Sequence, residues 1–435
     1  MITLLRIMAY ALSVAPAFGF RSDLLSSDRV ARTRSTILAS SESNFGETPA
    51  PLGRRSILTA SAAFVSGTSA CRTSSSWAAV ASPIIASKIP TITLEDTVAM
   101  PQIALNTAGL SADVSERAFR MAISAGITHV DFHPGAERDG VAQVLRFGNV
   151  DRNSVFLTTK IKKARSGISP AAAAAAVREQ IDNDLAALGV KSVDLLMLRD
   201  HPDCAVMLAQ WEVLEESHAL GKAKSLGVVN FCEGALRCLL EREKPNVAKG
   251  KAISVDSSTS TKAYLDPAVN YIMLHAGMGP DAHGLRSFGE SRGVKTFVYG
   301  GLGEPGPSSE LVGKSSGALP TQSGSSRKDI PSTIEILERV GASHGSKSSE
   351  EVALRWALQI GCAALSVRPT SSFGLGSNIC PPGGDACFRG LEKRSQLFDW
   401  KLTEKELAEI SALSSPDGNP TLFSSSGCPG AWGSI

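Results

Sequence analysis

The stretch SPAAAAAAVREQIDNDLAALGVKSVDLLML, residues 169–198, joins one helix signal directly to one strand signal. Ser169 can cap the helix, Pro170 suits its first turn, and Gly189 can end it. Alanine has the highest helix propensity, so these caps favour a helix over low-complexity sequence for the alanine run. The apolar run VDLLML then predicts a strand that is buried on both faces. A helix that leads into such a strand is the repeating unit of a parallel α/β sheet.

The same alternation continues on both sides of this stretch. About eight such units predict a closed (β/α)8 TIM barrel from about Met100 to Leu413. A doubly wound open sheet is the alternative, but it would need a glycine-rich turn after its first strand, and no GxGxxG follows there. The predicted elements are a hairpin at 91–105, strands at 128–133, 154–161, 192–200, 225–231, 251–258, 294–301 and 363–370, helices at 112–127, 205–223, 232–243, 348–362 and 402–413, and a mostly helical segment at 265–293.

Composition excludes several classes of function. The chain has 435 residues, of which 43% are hydrophobic and 20% charged, and this balance supports a sizeable core. A net charge of +2 and 6% aromatic residues predict no nucleic-acid surface. The eight cysteines include no CxxC pair and no Cys/His ligand spacing, so we expect no metal site.

The N-terminal residues 1–81 have the composition of a multipartite targeting region rather than of a folded domain. Their first apolar run is too short for a membrane span, so we expect no stable membrane insertion. The order of signals resembles targeting into a complex algal plastid, and Arg54–Arg55 resembles a thylakoid-lumen signal, with the stroma as the alternative. The predicted segments are a signal peptide at 1–17, a transit segment at 18–53, a twin-arginine thylakoid-type signal at 54–81 and the barrel domain at 82–435.

Across residues 96–413 the chain resembles the aldo/keto reductases in the order and spacing of its segments. MPQIALNTAGL resembles the family's opening hairpin and turn, and AISAGITHVDF resembles its first barrel strand. Further matching segments are VFLTTKI, LAALGVKSVDLLML, WEVLEESHALGKAKSLGVVNF, VALRWALQIG and QLFDWKLTEKELAEI. The resemblance implies hydride transfer from a nicotinamide, usually NADPH, to a carbonyl. It also implies a tyrosine that donates the proton and a lysine, an aspartate and a histidine that tune it.

Two members of that catalytic set are present. The aspartate is Asp131 and the lysine is Lys160, whereas the tyrosine position is Ala136. Hydride addition leaves an alkoxide, so some acid must lie within about 3 Å of that oxygen. His133 alternates in phase with Asp131 and is a candidate, although it could equally be an ordinary hydrogen-bonded histidine. Taken singly, Asp131 could cap a turn and Lys160 could be a solvated charge.

The family histidine is replaced or displaced. Strand phase puts Arg199 at its position, whereas alignment on Pro202 puts Asp200 there, with His201 one residue further on. Arg199 could pair with Asp200 or Asp131, or it could bind a substrate carboxylate.

The cofactor positions are partly retained. Asn230 occupies the position of the family residue that holds the nicotinamide amide, and Tyr299 that of the stacking ring. Thr370 replaces the lysine that meets the 2′-phosphate, so we expect NADP(H) with NAD(H) as the alternative. The other candidate cofactor residues are Ser254, Leu302, Arg368, Ser371 and Asn378.

Three functions fit these residues. The first is an oxidoreductase that transfers hydride to a small aldehyde or ketone with altered catalytic residues, the proton coming from His133, His201 or a water held by Lys160. The second is a catalytically impaired nucleotide-binding or regulatory protein on the same barrel. The third is a redox protein that uses Cys380 and Cys387. We expect a monomer that acts on a small molecule.

Overall fold

The barrel predicted from the alternation is present in the fold. The computed structural model describes residues 89–94, 97–242, 264–281, 284–301, 333–369 and 385–413. Eight parallel strands close into a barrel, because each strand pairs with the next and β10 pairs with β3. The barrel strands are β3 (Ile103–Asn106), β4 (His129–Asp131), β5 (Phe156–Lys160), β6 (Val193–Arg199), β7 (Ala223–Val229), β8 (Val269–Met273), β9 (Lys295–Tyr299) and β10 (Ala364–Val367).

A short antiparallel hairpin precedes the barrel, and helices surround it. The hairpin pairs β1 (Thr91–Thr93) with β2 (Ala99–Pro101), as the sequence predicts. The helices are α1 (Ala112–Ser124), α2 (Ala136–Phe147), α3 (Pro170–Leu188), α4 (Cys204–Ala219), α5 (Glu233–Leu240), α6 (Leu285–Glu290), α7 (Thr333–Ser343), α8 (Ser349–Gln359), α9 (Asp385–Ser395) and α10 (Glu404–Ser411).

The predicted helix caps are formed. The Ser169 side chain accepts a hydrogen bond from the Ala172 backbone N–H, and Gly189 ends α3 in the left-handed region at φ 72°. Ser348 starts α8 with a full capping box through Glu351. These caps satisfy backbone groups that the helix ends would otherwise leave without partners.

Three local predictions are wrong. The first barrel strand is β3, so residues 129–131 form the second strand. The segment 265–293 contains β8, because its apolar residues lie inside the sheet rather than along one helix face. No helix is predicted from the sequence between residues 133 and 154, yet α2 begins at Ala136.

Apolar side chains fill the barrel interior below the site. The hairpin contributes Leu94 and Met100, and the strands contribute Phe156, Met197 and Phe297, all of them buried. His129 lies among them and bonds Thr158 Oγ1 at 2.7 Å, and burial lowers its pKa to about 4. The interior is therefore a packed core, and the polar side chains of the barrel collect at the carboxyl ends of its strands.

A disulfide fastens two helices beside the barrel mouth. Cys204, the first residue of α4, is bonded to Cys238 in α5. Cys362 is free and buried, and burial raises its pKa to about 12, so its thiol is inert at neutral pH.

Several predictions concern residues outside the described ranges. These are the targeting region, the predicted strand at 251–258 and the side chains of Cys380 and Cys387. In the ranges described above, no helix is both long enough and apolar enough to cross a membrane. The same ranges contain no cluster of ligating side chains that could hold a metal ion.

Candidate active site

The structure brings Asp131 and Lys160 together at the carboxyl ends of β4 and β5. Their side chains form an ion pair, and each residue is at most 1% exposed. This convergence is the arrangement that the sequence predicts, because adjacent parallel strands end at the same edge of the barrel. A pair buried this deeply is stable only when hydrogen bonds satisfy its remaining lone pairs.

Those hydrogen bonds come from two residues that the sequence reasoning missed. The Tyr271 hydroxyl donates to Asp131 Oδ2 at 2.6 Å, and the Ser366 hydroxyl donates to the same oxygen at 2.7 Å. Asn106 donates to the Tyr271 oxygen at 3.2 Å. Lys160 Nζ also lies 5.0 Å from the centroid of the Tyr271 ring. The carboxylate of Asp131 is therefore held from three other barrel strands, β5, β8 and β10, and Asn106 on β3 supports Tyr271.

The electrostatics of this cluster fix its protonation. Burial favours the neutral form of Asp131, but Lys160, His133 and the hydrogen bond from Tyr271 outweigh it and lower the pKa of Asp131. Burial lowers the pKa of Lys160, against the attraction of Asp131. Burial and the charge of Asp131 raise the pKa of Tyr271 well above its ordinary value. Tyr271 is therefore a weak acid, unlike the family's tyrosine, whose pKa a lysine lowers.

A second polar chain lies nearer the solvent. The His133 ring donates from Nδ1 to Glu137 Oε2 at 3.0 Å, and Arg199 donates from Nη2 to His133 Nε2 at 3.4 Å. Glu137 is 8% exposed and accepts three further hydrogen bonds, from the backbone of His133, the backbone of Gly109 and the Thr107 hydroxyl. These contacts fix the imidazole so that its Nε2 meets Arg199.

The pKa shifts of this chain follow from its neighbours. The charge of Lys160 and burial lower the pKa of His133, against Glu137 and Asp131. Burial alone would raise the pKa of Glu137, but the hydrogen bond and charge of His133 and backbone N–H groups lower it. At neutral pH the site therefore holds an ionised Glu137 beside a neutral His133 whose Nε2 carries a lone pair.

The predicted ion pair of Arg199 with Asp200 or Asp131 does not form. Asp200 is paired with Lys163 at 3.0 Å, and Asp131 is paired with Lys160. No acidic side chain in the described ranges lies within ion-pair distance of Arg199, which is partly exposed. The other alternative from the sequence, an arginine that meets a substrate carboxylate, stays a prediction.

His201 and Ala136 do not supply the missing acid. The His201 ring accepts a hydrogen bond from the Asp203 backbone N–H at 3.0 Å and lies 3.4 Å from the Arg165 carbonyl oxygen. Both ring nitrogens therefore contact backbone groups, and the residue is buried. Ala136 is exposed at the first turn of α2. His133 differs from His201 in this respect, because its Nε2 faces the Arg199 side chain rather than a backbone group.

Tyr299 and Asn230 border the same mouth at the ends of β9 and β7. The Tyr299 hydroxyl donates to Asn230 Oδ1 at 2.8 Å, and its ring centroid lies 4.8 Å from that of Tyr271. A partly exposed aromatic face beside a side-chain amide suits a flat ring that carries a carboxamide. These two residues therefore fit the nicotinamide end of a dinucleotide.

Of the other cofactor candidates, Arg368 is the one that lies within the described residues. Ser254 lies outside the described residues, and its role as a cofactor residue stays a prediction. Arg368 directly follows β10. The remaining candidates lie outside the described residues: Leu302, Thr370, Ser371 and Asn378.

A cleft of about 360 Å³ lies to one side of this mouth, between α3 and the loop after β5. Its lining includes Ala173, Ala176 and Gln180, and it contains none of the residues of the ion pair. Gln180 donates to the Lys160 carbonyl oxygen at 3.0 Å, so the wall of the cleft supports the backbone of the catalytic candidate. The site that the resemblance predicts and this cleft are separate features.

Comparison with known proteins agrees with this fold. Residues 102–372 match the model of the aldo/keto reductase family, and the chain belongs to that family. Its members are oxidoreductases that typically use nicotinamide cofactors.

Curated relatives are distant but span most of the chain. Morphine 6-dehydrogenase of Pseudomonas putida is 26% identical over 333 residues, which cover 76% of this chain and 93% of that protein. 2,5-Diketo-D-gluconic acid reductase B of a Corynebacterium species is 26% identical over 279 residues, 64% of this chain and 80% of that protein. An aldo/keto reductase structure from Brucella melitensis superposes with a TM-score of 0.54 at 21% identity, covering 75% of this chain and 100% of that one.

Proposed function

We propose that the protein is an oxidoreductase that transfers hydride between NAD(P)H and a small aldehyde or ketone, with altered catalytic residues. The observation that carries this proposal is the buried Asp131–Lys160 ion pair beside Tyr299 and Asn230 at the carboxyl end of the barrel. Catalytic residues of such barrels lie at that end. Burial of a lysine costs free energy of folding, and such residues cluster at functional sites. The position of Lys160 beside Tyr299 and Asn230, which fit a nicotinamide, therefore supports a catalytic role.

The cofactor would be held by Asn230 at its carboxamide and by the Tyr299 ring on one face. When bound, NAD(P)H supplies the hydride to the carbonyl carbon. NADP(H) is the proposed form because the family typically uses it, with Arg368 as the residue that would meet the 2′-phosphate. NAD(H) is the alternative, since Thr370 replaces the family's lysine.

The ion pair would act through the electrostatic field of Lys160 on the substrate oxygen. Reduction of a carbonyl places negative charge on oxygen, and a fixed cation nearby stabilises that charge without reorganising. Lys160 is at most 1% exposed, so it is fixed and poorly screened. Asp131 keeps Lys160 in place, and Tyr271 and Ser366 keep Asp131 in place.

Consumption of NADPH, followed at 340 nm with a panel of short aldehydes, tests this function. Lys160→Met should lower turnover by about 10²-fold or more, the usual scale for loss of a charge that stabilises the transition state. Lys191→Met changes an exposed lysine before β6 and serves as the matched control. Equal turnover of both variants and the wild type would remove Lys160 from the mechanism.

The catalytically impaired nucleotide-binding protein remains the second candidate. It is favoured by one observation, since the charges of Asp131 and Lys160 are satisfied within the core. In this candidate the role of the cluster is structural, because its hydrogen bonds connect five strands of the barrel. Micromolar binding of NADPH without turnover of any aldehyde would select this candidate.

The names of the relatives are consistent with a small oxygenated substrate. One is described as a dehydrogenase of morphine and another as a reductase of 2,5-diketo-D-gluconic acid. The proposed substrate of this chain is a small carbonyl compound.

The proposed location is the plastid, in the thylakoid lumen or, as the alternative, in the stroma. Two observations support it: the order of signals in residues 1–81 and the Cys204–Cys238 disulfide, which persists best in an oxidising compartment. Import of the full chain into isolated plastids, followed by fractionation, tests the location. A monomer is proposed for the processed protein, and size-exclusion chromatography with light scattering tests it.

A further inference from the structure

We propose that the barrel mouth is built for a short oxo acid and its hydroxy acid, with Arg199 binding the carboxylate and His133 exchanging the proton. In this arrangement Glu137 is a positioning residue for His133. The inference rests on the proposed oxidoreductase function and specifies its substrate class.

The first support is the way Glu137 holds the imidazole. Four donors converge on its two oxygens, at 2.7 Å from Gly109, 3.2 Å from Thr107, and 2.9 and 3.0 Å from the backbone and ring of His133. The carboxylate cannot turn away without losing several of these bonds. His133 is thus fixed in one tautomer, with Nε2 facing Arg199 and able to exchange a proton.

Local sequence explains why the pair forms. Glu137 lies four residues after His133 and in the first turn of α2, where a carboxylate is favourably placed near backbone N–H groups. Gly135 allows the turn between them, because its φ of 106° is one that other residues rarely adopt. The pair is therefore a property of the loop HPGAE, which follows the strand that carries Asp131.

The second support is the state of Arg199. Its Nη2 lies 3.4 Å from His133 Nε2, and within the described part of the chain it has no ion-pair partner. A partly exposed guanidinium with unused donors binds a carboxylate well, often through two parallel hydrogen bonds. Because the two nitrogens are close, the carboxylate and the reacting oxygen must belong to the same short chain.

The chemistry balances without further reactants. In reduction, the carbonyl carbon accepts a hydride from the bound nicotinamide, and the π electron pair moves to the oxygen. That oxygen takes the proton from Nε2 of an imidazolium His133, which becomes neutral. In oxidation, the neutral Nε2 would accept the hydroxyl proton while the hydride passes from carbon to the oxidised nicotinamide, NAD(P)+, so the imidazole begins as a base.

The charges around His133 set the pH dependence. Lys160, Arg199, Asp131 and Glu137 face it from β5, β6, β4 and α2. Lys160 and burial lower its pKa, so the ring is neutral at neutral pH and ready to accept a proton. Oxidation of the hydroxy acid should therefore be fast at and above neutrality, whereas reduction should accelerate as the pH falls.

The substrate assignment is tested with succinic semialdehyde and butanal, which differ by a carboxylate in place of a methyl group. With NADPH, the wild type should prefer the acid in kcat/KM by at least about 10-fold, and Arg199→Gln should lose most of that preference, so that the ratio of the two kcat/KM values falls toward one. A charge-assisted contact corresponds to about 10- to 100-fold. Arg178→Gln, in an exposed ion pair on α3, is the control.

The assignment of His133 is tested by pH profiles of kcat in both directions. Glu137→Gln should lower kcat more than it changes KM and shift the reduction profile to lower pH, because the carboxylate raises the pKa of the ring. His133→Gln should remove the pH dependence, and His218→Gln on α4 should not. Circular dichroism and Tm distinguish these effects from misfolding.

The two proposals fail in different ways. If butanal is reduced but the carboxylate confers no advantage and Arg199→Gln changes nothing, the oxo-acid inference is overturned while the oxidoreductase stands. A pH profile that survives His133→Gln overturns the proton assignment. If no aldehyde is reduced, calorimetric titration with 4-hydroxybutyrate decides the carboxylate site, since binding that Arg199→Gln abolishes would support it and absence of binding would overturn it.

Discussion

The phenol of Tyr271 should act on Asp131 as an anchor rather than as an acid, and Tyr271→Phe tests this. The substitution removes one hydrogen bond of 2.6 Å to a buried carboxylate and leaves the Asn106 amide without its acceptor. A hydrogen bond to a charged group contributes about 1.5–3 kcal/mol. We therefore expect the free energy of unfolding to fall by ~2 kcal/mol and Tm by about 4 °C.

The pH dependence of this loss follows from the lowered pKa of Asp131. The stability that its ionisation contributes is full above the ordinary pKa of 3.8 and is lost as the pH falls through the lower folded value. The deficit of Tyr271→Phe should thus be constant from about pH 8 to about pH 4.5. Tyr299→Phe is the matched control, because it removes a hydrogen bond to the neutral Asn230 and should cost about 1 kcal/mol.

Differential scanning fluorimetry measures the Tm of these variants, and urea unfolding measures their free energy of unfolding. An unchanged Tm for Tyr271→Phe would show that the bond to Asp131 does not form. Loss of all turnover with unchanged stability would instead make Tyr271 the proton donor and refute its assignment as an anchor.

Four further changes have expected outcomes. Lys160→Met should destabilise the fold by about 3–5 kcal/mol, because it leaves Asp131 buried and unpaired, and Asp131→Asn in the same chain should restore part of the loss in urea unfolding. Gly135→Ala should lower stability by about 1–2 kcal/mol through its positive φ alone, since no atom lies near the added carbon, and an unchanged Tm would contradict this. Ala136→Tyr should raise the reduction of a reactive aldehyde by about 10²-fold if the missing acid is the main defect, and no gain in a NADPH assay would locate the acid elsewhere. Cys204→Ser should cost ~3 kcal/mol and make the dithiothreitol effect on Tm smaller than in the wild type, whereas a dithiothreitol effect equal to that on the wild type would show that this disulfide does not form.

The barrel could be predicted from the sequence because its signals are local. Ser169 and Gly189 specify the ends of α3 within a single helix, and continuous apolar runs specify buried strands whatever their neighbours are. The segment at 265–293 was misjudged because a short apolar strand and a buried helix have similar patterns, and only pairing with β7 and β9 decides between them.

The site was predicted only in part because its contacts are not local. Asp131 and Lys160 follow from the resemblance, but Tyr271 and Ser366 lie 140 and 235 residues from the aspartate they bind. No spacing rule connects residues so far apart. Glu137 could have been found, since it lies four residues after His133, the separation at which helical side chains meet. The helix that contains Glu137 was missed, and the pair was missed with it.

Binding of NADPH tests the central claim, that this barrel mouth is an oxidoreductase site, more directly than any other measurement. Energy transfer from tryptophan to NADPH should saturate at micromolar cofactor in the wild type, and Tyr299→Ala should weaken the binding by about 10-fold or more, since a stacking ring contributes about 1–3 kcal/mol. Tyr264→Ala, outside the mouth, should bind as the wild type does. No energy transfer at millimolar NADPH, or equal binding by all three proteins, would contradict the account.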